Sequence, residues 1–331
     1  MSTHARVATL RAAATSPLVS VLLSTRDGAR YLEESLASLA AQSYPNVEIV
    51  AVDDGSTDAS PEILARFAAA HPRTRLIRTE GIGLAAALHR AAGEATGLLF
   101  ARQDDDDRSH PERFERQVRH LHWNGDVAVV GTTATRIGPN GETLGPYRVP
   151  LAPGAIAAAL RRGTPFVHGS VMIRREAYEA AGGYRAAFDA AQDVDLWLRM
   201  PREFRFANLD EPLYEWRAHP GGVFARARDQ QLFFGAAARA FAEERRARGS
   251  NGRDSIALLA EAETTEAFLE RYRRRDRVER HWAEALVREG RVSEARAMLR
   301  RAMTTPRSAA EAALWWAISW PAGLLPRARR R

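Results

Sequence analysis

The chain has 331 residues, of which 45% are hydrophobic and 27% are charged, a composition typical of a folded globular protein. It contains no cysteine, which excludes disulfides, thiolate metal sites and cysteine nucleophiles. No apolar run reaches about 18 residues, so we expect no conventional transmembrane helix. The length exceeds the roughly 100–200 residues of a typical domain, which predicts a large domain with an extension, or two domains.

The net charge of +7 comes from 48 basic and 41 acidic side chains and is unevenly distributed. Residues 251–331 contain 17 arginines and 11 acidic residues, a net of +6. The first 250 residues therefore contain 31 arginines and 30 acidic residues, a net of +1. Nucleic-acid binding by the main domain requires a basic face, so this near-neutral balance argues against a nucleic-acid partner.

Strands and helices alternate regularly from residue 18 onwards. Short apolar runs rich in β-branched residues predict buried strands, and apolar residues at helical spacing follow each of them. The predicted order is strand Leu18–Ser24, helix Tyr31–Ala41, strand Val47–Val52, helix Pro61–Ala70, strand Arg75–Thr79, helix Leu84–Ala95, strand Gly97–Gln103 and a helix ending near Trp123. Ser60 is expected to cap the second helix, and Ser109 with Glu112 has the spacing of a capping box. The alternation predicts a doubly wound, mostly parallel sheet.

The pattern changes after Asp126. Val127–Gly131 and Ser170–Ile173 are predicted strands, and Asp193–Met200 is a predicted short helix. Beyond Gln230 we expect helices at Leu232–Arg248, Ser255–Arg274, His281–Gly290 and Ser293–Met303. The predicted organisation is a loose tail at 1–17, an α/β domain at 18–230, a helical region at 231–308 and a Trp-rich basic tail at 309–331.

Four consecutive aspartates, Asp104–Asp107, end the fourth predicted strand. Two carboxylates about 4 Å apart repel by about 1 kcal/mol even in water, so solvent or a cation must compensate the cluster. A divalent cation held by one or two carboxylates, water and substrate phosphates fits this pattern. We favour that interpretation over a solvated loop that caps the next helix, because the run closes a buried strand.

Two further polar segments, Ser24–Asp27 and Asp53–Asp58, follow the first and second predicted strands. In doubly wound sheets ligands bind beyond the carboxyl ends of strands, so the three acidic or polar segments are expected to meet there. The short acceptors of Asp53–Asp58 suit a nucleotide base or ribose, while an ordinary Asx turn explains them equally well. Gly81–Gly83 lacks a third glycine and does not follow the first strand, which disfavours a nicotinamide-dinucleotide site.

These motifs resemble those of family 2 glycosyltransferases, nucleotide-sugar-dependent enzymes of the GT-A fold. Ala101–Asp107, followed by Pro111–Phe114, is similar to the family's "ARMDADD…PERF" stretch. The other matching segments are Val19–Ser60, Gly83–Gln117, Val129–Gly131, His168–Arg174, Gly182–Tyr184, Gln192–Arg199, and Glu211–Leu213 with Arg217 and His219. The match covers about residues 18–222 in unbroken order, which is more specific than any one motif. The resemblance implies a GT-A domain, Rossmann-like with helices flanking the sheet, followed by a C-terminal helical extension.

The resemblance also implies which residues bind the nucleotide. Ser24, Asp53 and Asp54 would line the pocket for the base. Asp104 is an outer residue of the family's DXD motif and is implied as a further residue of the nucleotide-sugar site. Asp105 occupies the variable middle position and would reach the ribose.

A divalent metal, Mn²⁺ or Mg²⁺, is implied at the same motif. Asp106 would hold the metal that bridges the diphosphate, together with Asp104, and His219 matches the histidine that completes the metal's shell. Asp193 matches the catalytic aspartate, and Gly182–Gly183 match the glycine loop that leaves room for the sugar or acceptor.

The position of Asp193 in the sequence gives a second reason to expect a catalytic role. At a helix start it would be kept ionised by the helix dipole, which suits a general base, although a plain N-cap is the alternative. For His168, a structural role and a role in the site stay equally open. His89, Gln103 and Gln192 replace the family's usual asparagine, apolar residue and first acid of the "ED" pair, which leaves the donor preference open.

The C-terminal segment Ala309–Leu325 is rich in tryptophan and leucine and is followed by four arginines. Seventeen residues that include Glu311 and Pro321 are too few and too interrupted to span a bilayer. Tryptophans beside an arginine run suit the surface of an anionic membrane leaflet. The alternative is a helix packed on the catalytic domain with a solvated basic end.

The sequence therefore predicts an inverting, metal-dependent glycosyltransferase. Its expected partners are a UDP-sugar donor and a glycan or lipid-linked acceptor in cell-surface polysaccharide synthesis. We expect it in the cytoplasm, with peripheral attachment to the inner face of the membrane as a further expectation. The alternatives are a sugar-phosphate nucleotidyltransferase, which would need a glycine-rich basic loop after the first strand, and a non-catalytic protein that binds nucleotide-sugar or nucleic acid.

Overall fold

The computed structural model describes residues 16–201, 203–222, 227–248, 254–272 and 275–302. Contacts within the chain divide it into two compact units, residues 1–226 and 227–331. The predicted C-terminal tail, 309–331, and nearly all of the predicted N-terminal tail lie outside the described residues. Each unit is therefore described by itself.

Within the described residues, the first unit contains one nine-stranded sheet. Its strands are β1 Val19–Thr25, β2 Val47–Asp53, β3 Thr74–Arg78, β4 Leu99–Asp104, β5 Arg108–Ser109, β6 Val127–Ile137, β7 Thr143–Tyr147, β8 Met172–Arg174 and β9 Arg205–Arg217. The spatial order is β3-β2-β1-β4-β8-β6-β9-β5, and β7 pairs with β6. The first four strands are parallel, as the alternation predicts. Beyond β4 the pairing is mixed, with β6 and β9 parallel and β8 antiparallel to both neighbours.

Helices cover both faces of this sheet. They are α1 Ala29–Ala40, α2 Ser60–Ala70, α3 Leu84–Glu94, α4 Arg113–Trp123, α5 Pro153–Leu160, α6 Arg175–Ala180 and α7 Gln192–Arg199. Side chains alternate across a strand, so Val21 of β1 packs in the core under α1 while Leu22 packs in the core under α3. Leu32 and Leu36 of α1 are buried, as their helical spacing predicts.

Two predicted helix caps are wrong. The second helix begins at Ser60 itself, whose backbone N–H donates to the Asp58 carboxylate at 2.9 Å, so Asp58 and not Ser60 satisfies the helix end. The fourth helix begins at Arg113 without a side-chain cap. Ser109 lies in β5 instead, where its hydroxyl donates to the Gln103 side chain at 2.7 Å.

The described part of the second unit is helical, as expected. Its helices are α8 Arg228–Arg248, α9 Ile256–Ala260, α10 Thr265–Arg271, α11 Arg275–Arg288 and α12 Val292–Ala302. Two helices replace the single helix expected at 255–274. Thr264 is the N-cap of α10, where its hydroxyl accepts from the Ala267 N–H at 3.1 Å. None of the helices in the described ranges is both long and apolar enough to cross a membrane.

Candidate functional site

The strand order places three predicted site residues side by side. The chain runs outward from β1 to β3 and then returns to place β4 on the other side of β1, so the strand order reverses between β1 and β4. Ser24 pairs in register with Asp104, and Thr25 pairs with Asp53. The carboxyl ends of β1, β2 and β4 therefore meet at a topological switch point, where doubly wound sheets bind ligands.

Asp53 presents a buried acceptor at this edge. The residue is only 4% exposed, and its Oδ1 accepts from the Ser56 N–H at 2.9 Å. Its Oδ2 makes no hydrogen bond within the described residues, although the Arg78 guanidinium lies 3.4 Å away. A buried acceptor without a donor is rare in folded proteins, so this oxygen suits an N–H group of a ligand.

Asp54 is differently placed. Its Oδ1 accepts from the Thr79 hydroxyl at 2.6 Å and the Ile82 N–H at 2.7 Å, and its Oδ2 accepts from the Gly83 N–H at 2.9 Å. Burial by itself raises the pKa of this carboxyl, but the three hydrogen bonds outweigh burial and lower it. Asp54 thus holds the loop that precedes α3, and its predicted contact with a base stays a prediction.

The aspartate run forms a tight turn after β4 in which each carboxylate has its own partners. Asp104 Oδ1 accepts from the Arg102 guanidinium at 2.5 Å, and Arg102 is itself only 2% exposed. Asp105 Oδ2 accepts from the Thr25 hydroxyl at 2.5 Å. A side chain at Gly28 would collide with that same oxygen, so a glycine is needed where the β1 loop covers Asp105.

Asp106 and His219 meet although 113 residues separate them. His219 Nε2 lies 2.9 Å from Asp106 Oδ2, which is hydrogen-bonding distance. Burial and the repulsion of Asp106 raise the pKa of Asp105 to about 7, and burial and the repulsion of Asp104 raise that of Asp106 to about 7. The turn therefore holds more negative charge than its protein partners compensate.

These residues fit a divalent cation. Asp106 contributes a carboxylate and His219 an imidazole nitrogen, while the Asp104 side chain, 31% exposed, lies in the same turn. No group of three or more metal-ligating side chains is gathered within the described part of the chain. Carboxylates suit Mg²⁺ and Mn²⁺, and sites that also bind substrate phosphates need only one or two of them.

Residues with no role predicted from the sequence hold the aspartate turn in place. The Arg217 side chain is fully buried, and it donates to the Asp106 carbonyl at 2.7 Å, while its backbone N–H donates to Asp107 at 2.6 Å. Tyr214 accepts from the Asp104 N–H at 3.2 Å. Gln103, fully buried, donates to the Asp107 carbonyl at 3.0 Å. Two signals in the sequence pointed to this set, the replacement of an apolar residue by Gln103 and the family match at Arg217, and both residues stabilise the turn.

Asp193 lies on α7, as its second residue. It is 8% exposed, and α7 begins after Ala191 without a side-chain cap, so the N-cap alternative for Asp193 is not what the structure shows. Burial raises the pKa of Asp193, opposed in part by hydrogen bonding to Thr164 and the backbone. Burial thus opposes the ionised state that the helix start was expected to favour, and a raised pKa makes Asp193 a stronger base.

A buried ion network positions α7 against the glycine loop. Asp195 is fully buried and accepts from Arg185 Nε at 2.9 Å and Arg199 Nε at 3.0 Å. Arg199 in turn donates to the Gly183 carbonyl at 2.6 Å. Gly183 has φ +67°, and a side chain there would approach His89 Nδ1 to 2.7 Å. The loop therefore requires glycine at 183.

Comparison with solved structures shows which fold this is. A mannosyltransferase from Pyrobaculum calidifontis, solved with GDP-Man and Mn²⁺, is 22% identical with a TM-score of 0.56, and the match covers 93% of this chain and 82% of that one. S. aureus TarS 1–349, solved with UDP-GlcNAc, is 16% identical with a TM-score of 0.58, covering 91% and 90% of the two chains. The fold is that of GT-A glycosyltransferases.

Sequence comparison shows the family. The model of glycosyl transferase family 2 matches residues 20–182. EpsE of Bacillus subtilis (strain 168), assigned as a glycosyltransferase, is 41% identical over 209 residues, which cover 61% of this chain and 73% of EpsE. AmsE of Erwinia amylovora, an amylovoran biosynthesis glycosyltransferase, is 32% identical over 206 residues, covering 61% and 76%. The chain belongs to glycosyltransferase family 2, and it is a glycosyltransferase rather than a nucleotidyltransferase or a binding protein.

Proposed function

We propose that this enzyme transfers a sugar, with inversion and with the help of a divalent metal, from a UDP-sugar to a glycan or lipid-linked acceptor. The observation that carries the proposal is the contact between Asp106 and His219 at 2.9 Å, next to the meeting point of β1, β2 and β4. Folding brings the Asp106 carboxylate and the His219 imidazole, both of which can bind a metal, close together. The buried Asp53 Oδ2 at the same sheet edge is an acceptor that suits an N–H group of a nucleotide base.

The proposed reaction is a single displacement at the anomeric carbon. The acceptor hydroxyl oxygen forms the new bond to that carbon, the bond from the carbon to the diphosphate oxygen breaks, and the hydroxyl proton passes to the Asp193 carboxylate. The raised pKa of Asp193 favours proton uptake. A divalent cation at Asp104, Asp106 and His219 would neutralise charge on the departing diphosphate.

Burial of Asp193 limits the access of water to the proposed base. Asp193 is 8% exposed and lies on a helix whose Trp197 packs against Phe166 at 5.4 Å between ring centroids. A buried carboxylate contacts few water molecules, so water competes little with a bound acceptor hydroxyl for hydrogen bonding to the Asp193 carboxylate. The same burial strengthens each hydrogen bond formed inside the site.

The proposed biological setting is cell-surface polysaccharide synthesis. Its support is that AmsE is named for amylovoran biosynthesis, and that WbnJ of Escherichia coli, 28% identical over 206 residues, is named for O-antigen biosynthesis. We place the reaction in the cytoplasm, where nucleotide-sugars are made, with residues 309–331 as a peripheral membrane contact. The solved relatives hold GDP-Man or UDP-GlcNAc, so GDP-sugars are the natural second donor class to test.

The experiment is a donor panel. The full-length enzyme is incubated with UDP-, GDP- and dTDP-sugars, with Mn²⁺, with Mg²⁺ or with EDTA, and release of the nucleoside diphosphate is measured. We expect release from a UDP-sugar that depends on the metal. Equal release in EDTA would contradict metal dependence, and release from GDP- or dTDP-sugars alone would replace the proposed donor class.

A further inference from the structure

His168 lies beside the aspartate turn. It opens the short 3-10 turn His168–Ser170, which packs on β4. The next residue, Gly169, is so close to the turn that an added side chain would approach Asp104 Oδ2 to 2.5 Å and collide with the Tyr214 hydroxyl. This close backbone approach fixes His168 next to the proposed metal and diphosphate site.

His168 also contacts the part of the unit that carries Asp193. Its ring centroid lies 6.4 Å from that of Trp197, which is one helical turn after Asp193 on α7, and 5.8 Å from that of Tyr184. His168 Nε2 lies 2.7 Å from the Tyr184 hydroxyl. The imidazole therefore lies between the groups proposed to hold the diphosphate and the group proposed to act as base.

One ring nitrogen of His168 is left for a ligand. Nε2 lies within hydrogen-bonding distance of the Tyr184 hydroxyl, and Nδ1 makes no hydrogen bond to any residue that the structure describes. The residue as a whole is partly exposed. Burial and then the Arg102 charge hold the pKa of His168 well below its usual value, so the ring is neutral. In either tautomer, Nδ1 then offers one donor or one acceptor, and a sugar hydroxyl pairs with both.

We propose that His168 binds a hydroxyl group of the donor sugar through Nδ1, and that Tyr184 fixes the imidazole for this contact. The inference rests on the proposed function, since it needs a nucleotide-sugar whose sugar lies between the diphosphate and Asp193. It decides between the two roles left open for His168 by the sequence. The role in the site is favoured because Nδ1 makes no hydrogen bond to a described residue and is therefore available to a ligand.

The test compares binding of a nucleotide-sugar with binding of the bare nucleoside diphosphate. Calorimetric Kd values are measured in Mn²⁺ for UDP, UDP-GlcNAc and UDP-glucose, and for GDP and GDP-mannose, with wild type, His168→Ala, His168→Asn and Tyr184→Phe. For the nucleotide-sugar that wild type binds, we expect His168→Ala to weaken binding about three- to tenfold, which corresponds to one neutral hydrogen bond. Binding of the bare diphosphate is expected to change less than twofold.

The remaining variants separate contact from packing. His168→Asn keeps a hydrogen-bond donor and an acceptor, so it is expected to bind the nucleotide-sugar more tightly than His168→Ala does. Tyr184→Phe removes the hydroxyl that orients the imidazole and is expected to lower the affinity for the nucleotide-sugar less than His168→Ala does. His122→Ala, at an exposed position on α4, is the matched control. Equal losses for diphosphate and nucleotide-sugar, or no loss for either, would overturn the role of His168. If wild type binds no nucleotide and no nucleotide-sugar, the proposed function itself fails.

Discussion

The four consecutive aspartates have four different environments, although the sequence shows them as one run. Asp104 pairs with the buried Arg102, and Asp105 is covered by the β1 loop. Asp106 meets His219, and Asp107, only 1% exposed, accepts from the Arg217 N–H. Asp107 is thus part of the scaffold of the turn, whereas Asp104 and Asp106 keep partly exposed side chains for a ligand.

Asp106→Asn is expected to weaken Mn²⁺ binding in the presence of UDP by about tenfold or more, because it removes the carboxylate nearest His219. Calorimetric titration of Mn²⁺ measures this. The metal-free variant should be no less stable than wild type, since it loses a charge that the neighbouring carboxylates repel. Asp210→Asn, at an exposed position on β9, is the control. Unchanged Mn²⁺ affinity would remove Asp106 from the site.

The sequence could predict the acidic turn but could not assign its members. Strand ends and carboxylates are local features, so Ser24, Asp53 and Asp104 could be expected to meet. The partners of the turn are distant in sequence, as Arg217 and Tyr214 on β9 show. His219 was predicted through family resemblance alone, because a single histidine 113 residues away has no local pattern that links it to Asp106.

At the scale of elements, α7 begins in an unusual conformation. Ala191, the residue before the helix, has φ 53°, in the left-handed region where residues other than glycine are uncommon. The members of a buried ion network flank it in sequence, with Arg185 before it and Asp195 and Arg199 after it. Strained backbone held by such a network is typical of functional sites, and here it sets the direction in which α7 presents Asp193.

Helices α8 and α11 of the second unit are joined by a charge cluster centred on Glu243. Its carboxylate lies 2.9 Å from His281 Nε2, Arg277 Nη1 and Arg280 Nη2. Burial by itself raises the pKa of Glu243, but His281 and the two arginines outweigh burial and lower the pKa to about 2. A carboxylate with a lowered pKa stabilises the fold above its unfolded pKa, and this stabilisation is lost as the pH falls from about 4.5 towards 2.

Glu243→Gln should therefore lower the free energy of unfolding at pH 7 by about 1–3 kcal/mol. The difference in free energy of unfolding between variant and wild type should disappear as the pH falls from 4.5 towards 2. Denaturant unfolding followed by circular dichroism at several pH values measures both effects. Glu261→Gln, which loses one exposed ion pair to Arg271, should change stability by less than about 1 kcal/mol. If the stability difference between Glu243→Gln and wild type did not change with pH, the ionised Glu243 carboxylate would not be the stabilising group.

Element prediction succeeded where the pattern is local. The first four strands and three helices lie within two residues of their predicted bounds. The prediction failed where contacts outside the local pattern determine the structure. Ser109 lies in β5, where its hydroxyl hydrogen-bonds to Gln103 and Arg113, and it does not cap α4. The long β9 was also missed, because Glu211 and Pro212 interrupt its apolar alternation and its pairing with β6 contains register shifts.

At the scale of the whole molecule, the charge and the chemistry occupy different parts of the chain. The residues proposed for the site all lie in the first unit, residues 1–226. The net charge of +6 belongs to residues 251–331, which carry 17 arginines and 11 acidic residues. The basic excess therefore lies in a different part of the sequence from the residues proposed for the site, and we propose that it acts at a membrane surface.

Residues 309–331 lie outside the described residues, so their membrane role is a prediction from sequence. Full-length enzyme should co-sediment with vesicles that contain anionic phospholipid. Truncation after Pro306 should lower the bound fraction severalfold, because it removes three tryptophans together with the terminal arginines. Neutral phosphatidylcholine vesicles are the control. Equal binding of both proteins to anionic vesicles would place the tail against the protein instead.

The central claim, sugar transfer with Asp193 as base, is tested most directly by turnover of Asp193→Asn. With the best donor and acceptor in Mn²⁺, release of nucleoside diphosphate is followed for wild type, Asp193→Asn and the exposed control Asp189→Asn. We predict that Asp193→Asn lowers kcat by about 10²–10⁴-fold while the Kd for the diphosphate changes less than twofold, and that Asp189→Asn resembles wild type. Unchanged turnover by Asp193→Asn would contradict the account.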